Sequence, residues 1–190
     1  MKIKCVFIDF YGLGLFKIPL LAEEWNFFCL SLFVTLYKKF MVAVVQRVSD
    51  ASVEIEGKIY AKIGMGFMIL IGITHSDTIE DIEWLAKKII WLRIFSDNDG
   101  KMNLDLKDIS GNILLISQFT LHASTKKGNR PSFIEAARPE IAIPLYEKMI
   151  DKLQELLEKE IQTGVFGADM KVSLTNDGPV TIIMDSKNRI

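Results

Sequence analysis

Beyond Cys29 the chain has no cysteine, and its 190 residues include two histidines. Cys5 and Cys29 lack C-x-x-C spacing, so neither a disulfide framework nor a thiolate zinc site is encoded. A cysteine nucleophile is excluded from residues 41–190. His75 and His122 stand 47 positions apart with no paired ligand motif, so no metal site is expected, and no cofactor. Charge of one sign is also lacking: 23 basic against 24 acidic residues leave a net charge of −1. Such a chain has no global attraction to nucleic acid or to an anionic membrane, and an RNA partner would need a local basic patch. The longest apolar run, Phe27 to Tyr37, falls far short of the roughly 20 residues that span a bilayer.

Hydrophobic residues make up 49% and charged residues 25%, the composition of a soluble globular protein. The length fits one domain with at most an appendage. Composition changes at Met41. Residues 1–40 hold both cysteines and seven of the twelve phenylalanines, and residues 41–190 carry a net charge of −3. Glu23 and Glu24 flank the apolar run and no small-residue cleavage site follows, which argues against a signal peptide. Residues 1–40 read as an extension upstream of a start at Met41, residues 41–184 as the domain, and 185–190 as a tail. The expected location is the cytoplasm.

The body alternates clearly. Val42–Val48 reads as a strand, Ser49-Asp50 as a turn, Ala51–Glu56 as a second strand, and Gly57-Lys58 as a turn before Ile59–Ile63. Phe67–Ile73 is apolar throughout, as a central strand covered on both faces would be. Ile79, Ile82, Leu85, Ile89 and Leu92 recur at helical spacing behind a cap at Asp77 or Thr78. Ser96–Gly100 resembles half a calcium loop but lacks the glutamate at the twelfth position, and reads as a plain turn. Asn112–Gln118 is another buried strand, and Pro139 to about Ile161 a second helix. Met170–Leu174 and Val180–Met184 are strands joined by a turn over 175–179. The predicted class is a single α+β domain: an antiparallel-rich sheet, closed or nearly closed, with two packed helices.

Three segments place polar groups where periodicity does not require them. Ser117-Gln118-Phe119-Thr120-Leu121-His122 ends an apolar strand. If extended, it sets Gln118, Thr120 and His122 on one face. It is either an acyl-transfer site, with backbone amides near Phe119 and Thr120 facing a developing oxyanion, or an ordinary strand end. His122 would need an orienting acid to act as a base, and His75 reads as a solvated loop residue. Lys126, Lys127 and Arg130, with Phe133 beside them, form a loop able to hold a phosphate chain or nucleotide, or simply a solvated face. Asn176-Asp177-Gly178-Pro179-Val180-Thr181 is first of all a turn, yet Gly-Pro could display two fixed backbone carbonyls.

The order Val42–Val48, Arg93–Asp97 with Gly100–Leu104, Ser117-Gln118-Phe119-Thr120-Leu121, Arg130-Pro131-Ser132-Phe133 and Asn176–Thr181 resembles the D-aminoacyl-tRNA deacylases (the D-tyrosyl-tRNA deacylase family). The resemblance covers about 41–184, and residues 1–40 have no counterpart in it. It implies a homodimer that hydrolyses the ester of D-aminoacyl-tRNA, and of glycine mischarged on tRNA-Ala, at the 3′ end. It places catalysis at Ser117, Gln118, Phe119 and Thr120. A cis Gly178-Pro179 pair, oriented by Arg47, would enter the partner's site and exclude L side chains. Lys126, Lys127 and Arg130 would hold tRNA. Thr120 and Gln118 are expected to position substrate, with the ribose 2′-hydroxyl assisting water. His122 departs from the small residue expected there. The alternative is a non-catalytic tRNA-end-binding module on the same fold.

Overall fold

The computed structural model describes residues 40–188. The extension expected over 1–40 therefore lies, Phe40 apart, outside the described residues, as do the last two positions of the tail. From Met41 the chain opens with an antiparallel meander of β1 (Val42–Ile55), β2 (Lys58–Ile63) and β3 (Gly66–Gly72). The β1–β2 connection is a two-residue turn at Glu56 and Gly57, both at positive φ, as tight hairpins require. Helix α1 (Ile79–Ile90) and a small hairpin of β4 (Phe95–Ser96) and β5 (Met102–Leu104) lead to β6 (Asn112–Ser117). Strand β6 lies parallel to β3. A 3₁₀ turn (Phe119–His122), helix α2 (Pro139–Leu157), β7 (Gln162–Thr163) and β8 (Lys171–Asp185) complete the described chain.

The strand order is β2-β1-β3-β6-β7, with β8 on the free edge of β1. The sheet is mixed and nearly closed, since β2 curls back toward β6 and β7. The period of two explains how both faces are covered. Phe67, Ile69 and Ile71 of β3, with Ile113 and Leu115 of β6, face the helices, where Ile82, Leu85, Met149 and Leu153 meet them. Met68, Leu114 and Ile116 point the other way, toward Val48, Val53 and Ile63 of the curled meander. The α+β class with two helices is the one expected.

Each helix boundary has a local cause. At the start of α1 the Asp81 carboxylate accepts from the Thr78 backbone N–H (2.9 Å) and hydroxyl (3.0 Å), the acid-at-N3 arrangement of a capping box. Helix α2 starts with Pro139, whose missing N–H has no intrahelical role there. It stops at Leu157 instead of Ile161 because Glu158 adopts a left-handed conformation (φ 58°). The Ser96–Gly100 turn is plain: the Asp97 carboxylate accepts from Asp99 N, Lys101 N and the Asn103 amide.

Two expected turns are absent. Ser49-Asp50 does not end β1, which runs on through a register irregularity against β8, leaving both polar residues exposed at the bend. The 175–179 segment likewise does not separate two strands. Gln46 pairs with Thr181 and Val48 with Asn176, so Asp177 to Val180 arch out of a continuous β8 opposite Arg47.

Candidate active site

Strand β6 delivers Ser117 to the edge of the domain. The Gln118 amide still extends the ladder, donating to the Ile71 carbonyl at 2.7 Å. There the extended conformation ends: Leu121 N–H turns back to the Gln118 carbonyl (3.2 Å) and Ala123 N–H to that of Thr120 (3.0 Å). Gln118, Thr120 and His122 therefore do not share the face that an extended chain would give them. Instead the Gln118 side-chain amide donates to the Thr120 hydroxyl. The amides of Phe119 and Thr120 open the 3₁₀ turn, and the first amides of such a turn have no acceptor within it.

Beside this corner lies a cavity of about 290 Å³. It is lined by Ser117, Gln118 and Phe119, by the apolar Ile73, Ala137 and Ala142, and by the segment Phe166–Met170. Tyr146 of α2 secures the strand behind it by donating to the Leu115 carbonyl at 2.8 Å. Burial pushes the Tyr146 hydroxyl well above its ordinary range, so it stays a donor. His122 is fully buried and packs against β3, where a Cβ on Gly72 would come within 2.8 Å of its Nε2. It is not among the residues lining the cavity. His75 is exposed.

The second locus is the arch in β8. Arg47, buried in β1, donates through Nη1 to the Ile94 carbonyl and through Nε to the Asp177 carbonyl at 3.2 Å. Its Nε also lies 3.0 Å from the Asp177 carboxylate. Next in the chain, Gly178 has φ +120°, and a Cβ there would sit 2.8 Å from Arg47 Nη2. Only a residue without a side chain fits this backbone so close to the guanidinium. The Gly178-Pro179 peptide is cis, and both residues are exposed. Neither lines the cavity at Ser117. The chain thus joins Arg47 to the arch and Ser117, Gln118 and Phe119 to the cavity, as separate sites.

Lys126, Lys127 and Arg130 occupy an exposed hairpin loop, closed where Ser124 and Ser132 exchange backbone bonds of 2.8 and 2.9 Å. Sequence reasoning missed the cavity-lining segment Phe166–Met170. The glycine-rich run Gly164-Val165-Phe166-Gly167 was its available signal. It also missed the Ile94 carbonyl, because a main-chain acceptor leaves no mark in sequence. Among the described residues no cluster of His, Cys, Asp or Glu could hold a metal ion.

Comparison with known proteins places this fold. It is shared by a solved structure of a probable eukaryotic D-amino acid tRNA deacylase, with TM-score 0.67 at 15% identity over 76% of this chain and 98% of that one. A c-Myc DNA unwinding element binding protein is closer in sequence, with 41% identity and TM-score 0.71 over 75% and 97% of the chains. The D-Tyr-tRNA(Tyr) deacylase family model matches residues 44–185. D-aminoacyl-tRNA deacylases of Flavobacterium psychrophilum and Bacteroides thetaiotaomicron are each 63% identical over 149 residues, 78% of this chain and 99% of the relatives. The chain belongs to the D-Tyr-tRNA(Tyr) deacylase family.

Proposed function

We propose that this chain is an aminoacyl-ester hydrolase that cleaves D-aminoacyl-tRNA, and glycine mischarged on tRNA-Ala, at the terminal ribose. The observation that carries the reading is the cavity at the end of β6, where Ser117, Gln118 and Phe119, the first residue of the 3₁₀ turn, meet an apolar wall. In the reaction, water adds to the ester carbonyl, charge collects on its oxygen, and the ribose oxygen leaves with a proton. Main-chain amides of Phe119 and Thr120 would stabilise that oxygen, an arrangement whose individual donors are each worth about 10²–10³ in rate. The ester is already activated, so positioning by Ser117, Gln118 and Thr120 with help from the ribose 2′-hydroxyl suffices.

Chiral selection would come from the Gly178-Pro179 arch of a partner protomer, oriented by Arg47. Its carbonyls would clash with an L side chain and clear a D one, which is specificity by exclusion. The arch and the cavity line separate places within one chain, which favours a homodimer with the site completed across the interface. Lys126, Lys127 and Arg130 would hold the tRNA end. The enzyme would work in the cytoplasm, where aminoacyl-tRNA is made; among the described residues no helix is long and apolar enough to cross a membrane. The domain proper would begin at Met41, after the extension.

The test is release of amino acid from D- and L-aminoacyl-tRNA, and from glycyl-tRNA-Ala, by purified protein. Hydrolysis of the D and glycyl esters with the L ester spared is the expected result. Binding of tRNA ends without turnover would establish the non-catalytic module instead.

A further inference from the structure

We propose that the exposed ring pair Phe119–Phe133 is a stacking platform for the unpaired nucleobase that precedes the terminal adenosine of the substrate. This rests on reading the Ser117–Phe119 cavity as the ester site. The two rings meet edge to face, 5.1 Å between centroids at 78°. They remain 57% and 39% exposed, and Ile134 beside them is 81% exposed. Isolated apolar side chains on a surface need no explanation, but a contiguous pair of rings at a cavity rim marks a contact surface. An edge-to-face pair leaves ring faces open to a third ring.

Position decides which base. Phe119 lines the cavity and its ring meets that of Phe133, which does not line it, so the pair leads outward from the place of the terminal nucleoside. Phe133 lies one ring further out, directly after the hairpin loop closed by Ser124 and Ser132 that carries Lys126, Lys127 and Arg130. A strand whose last nucleoside enters the cavity therefore places its preceding base at Phe133 and the phosphates around that base at the cationic loop. Aromatic faces flanked by cations bind single strands in this way, with little preference for base identity. The body carries net charge −3, so this cationic rim is a local exception fitted to an anionic strand.

The experiment uses D-phenylalanyl esters of adenosine and of the dinucleotide CpA, assayed with the full chain and its F133A variant. The CpA ester should gain affinity from the platform, and F133A should raise its KM about tenfold, within the range of one stacked base. The adenosine ester, which has no second base, should change by less than about twofold. F133W should restore the CpA KM, and its indole fluorescence should be quenched by CpA but not by adenosine. That signal needs no turnover and is read on a protein whose folding is independently checked. Equal effects of F133A on both esters, or none on either, would overturn the platform. So would a change of oligomeric state in F133A, which would assign the rings to a contact with a second copy of the chain. If the parent hydrolyses neither these esters nor D-aminoacyl-tRNA, the cavity reading falls and takes the platform with it.

Discussion

Arg47 holds the β8 arch through unequal contacts. Its bond to the Ile94 carbonyl is buried, whereas the Asp177 carboxylate 3.0 Å from its Nε is 56% exposed. An ion pair with one open partner is worth on the order of 0–1 kcal/mol and is screened by salt. Asp177→Asn is thus expected to fold normally while lowering the ratio of D- to L-ester hydrolysis by up to about fivefold, the rate equivalent of 1 kcal/mol. In the parent the same ratio should fall with added salt and in the variant it should stay flat, because weakened tRNA binding affects both esters alike. A ratio indifferent to both changes would detach Asp177 from selectivity. Thr120 carries a different expectation. Its hydroxyl accepts from the Gln118 amide, which is a donor and not a base, and a hydroxyl nucleophile needs a base. Thr120→Ala should therefore keep measurable turnover, with a loss of about tenfold to a hundredfold, on the scale of a lost positioning group. Total loss in a folded variant would instead make Thr120 a covalent nucleophile.

Element by element, sequence period and capping chemistry made most of this fold legible, and the exceptions share a cause. The apolar runs of β3 and β6, and the spacing Ile82, Leu85, Ile89, state their burial directly. Ser49-Asp50 and Asn176–Pro179 do not, because local turn chemistry looks the same at a strand end as at a bulge inside one long strand. Only the pairing of β1 with β8 separates the two cases. The corner after Ser117 was likewise recognisable by its residue types but not by its shape, since the 3₁₀ turn depends on how His122 packs against β3. Gly72 is the residue that makes room for it: a Cβ there would lie 2.8 Å from His122 Nε2 and 3.0 Å from Leu121 Cβ. Gly72→Ala should cost about 1–3 kcal/mol by overpacking and reduce activity by shifting the turn, with His122→Ala in the same chain recovering part of both. Thermal melts and kcat/KM on the single and double variants measure this. Helix α1 supplies a pH test. Burial pushes the Asp81 carboxyl up, yet hydrogen bonds from Ser186 and Thr78 and the charge of Lys187 together hold it below its usual range. A lowered folded-state value stabilises above the unfolded value of about 4 and is lost as pH falls through the folded one. Asp81→Asn should therefore cost about 1 kcal/mol at pH 7 and progressively less below pH ~4, as read from denaturant midpoints at each pH.

For the whole molecule, the decisive question is whether the arch serves its own cavity or a neighbour's. In a two-fold dimer each contact occurs twice, so a defect in one protomer's arch is felt in the other's site. Gly178→Ala breaks the arch without touching the cavity: its Cβ would press on Arg47 Nη2 and on Val180 Cγ2, both at 2.8 Å. Phe119→Pro does the reverse, removing an amide at the first position of the 3₁₀ turn, where proline is tolerated, at a rate cost of about 10²–10³. Alone, Gly178→Ala should gain hydrolysis of L-aminoacyl-tRNA, and Phe119→Pro should be nearly inert to either ester. Co-refolding Gly178→Ala with a tenfold excess of Phe119→Pro pairs about nine in ten of its protomers with the inert variant. Every live cavity in those pairs then faces an intact arch. L-ester hydrolysis per Gly178→Ala protomer should fall about tenfold while D-ester hydrolysis holds, an outcome that only exchange of arches between protomers produces. If the arch acted on its own chain, dilution with Phe119→Pro would leave the L rate per Gly178→Ala protomer unchanged.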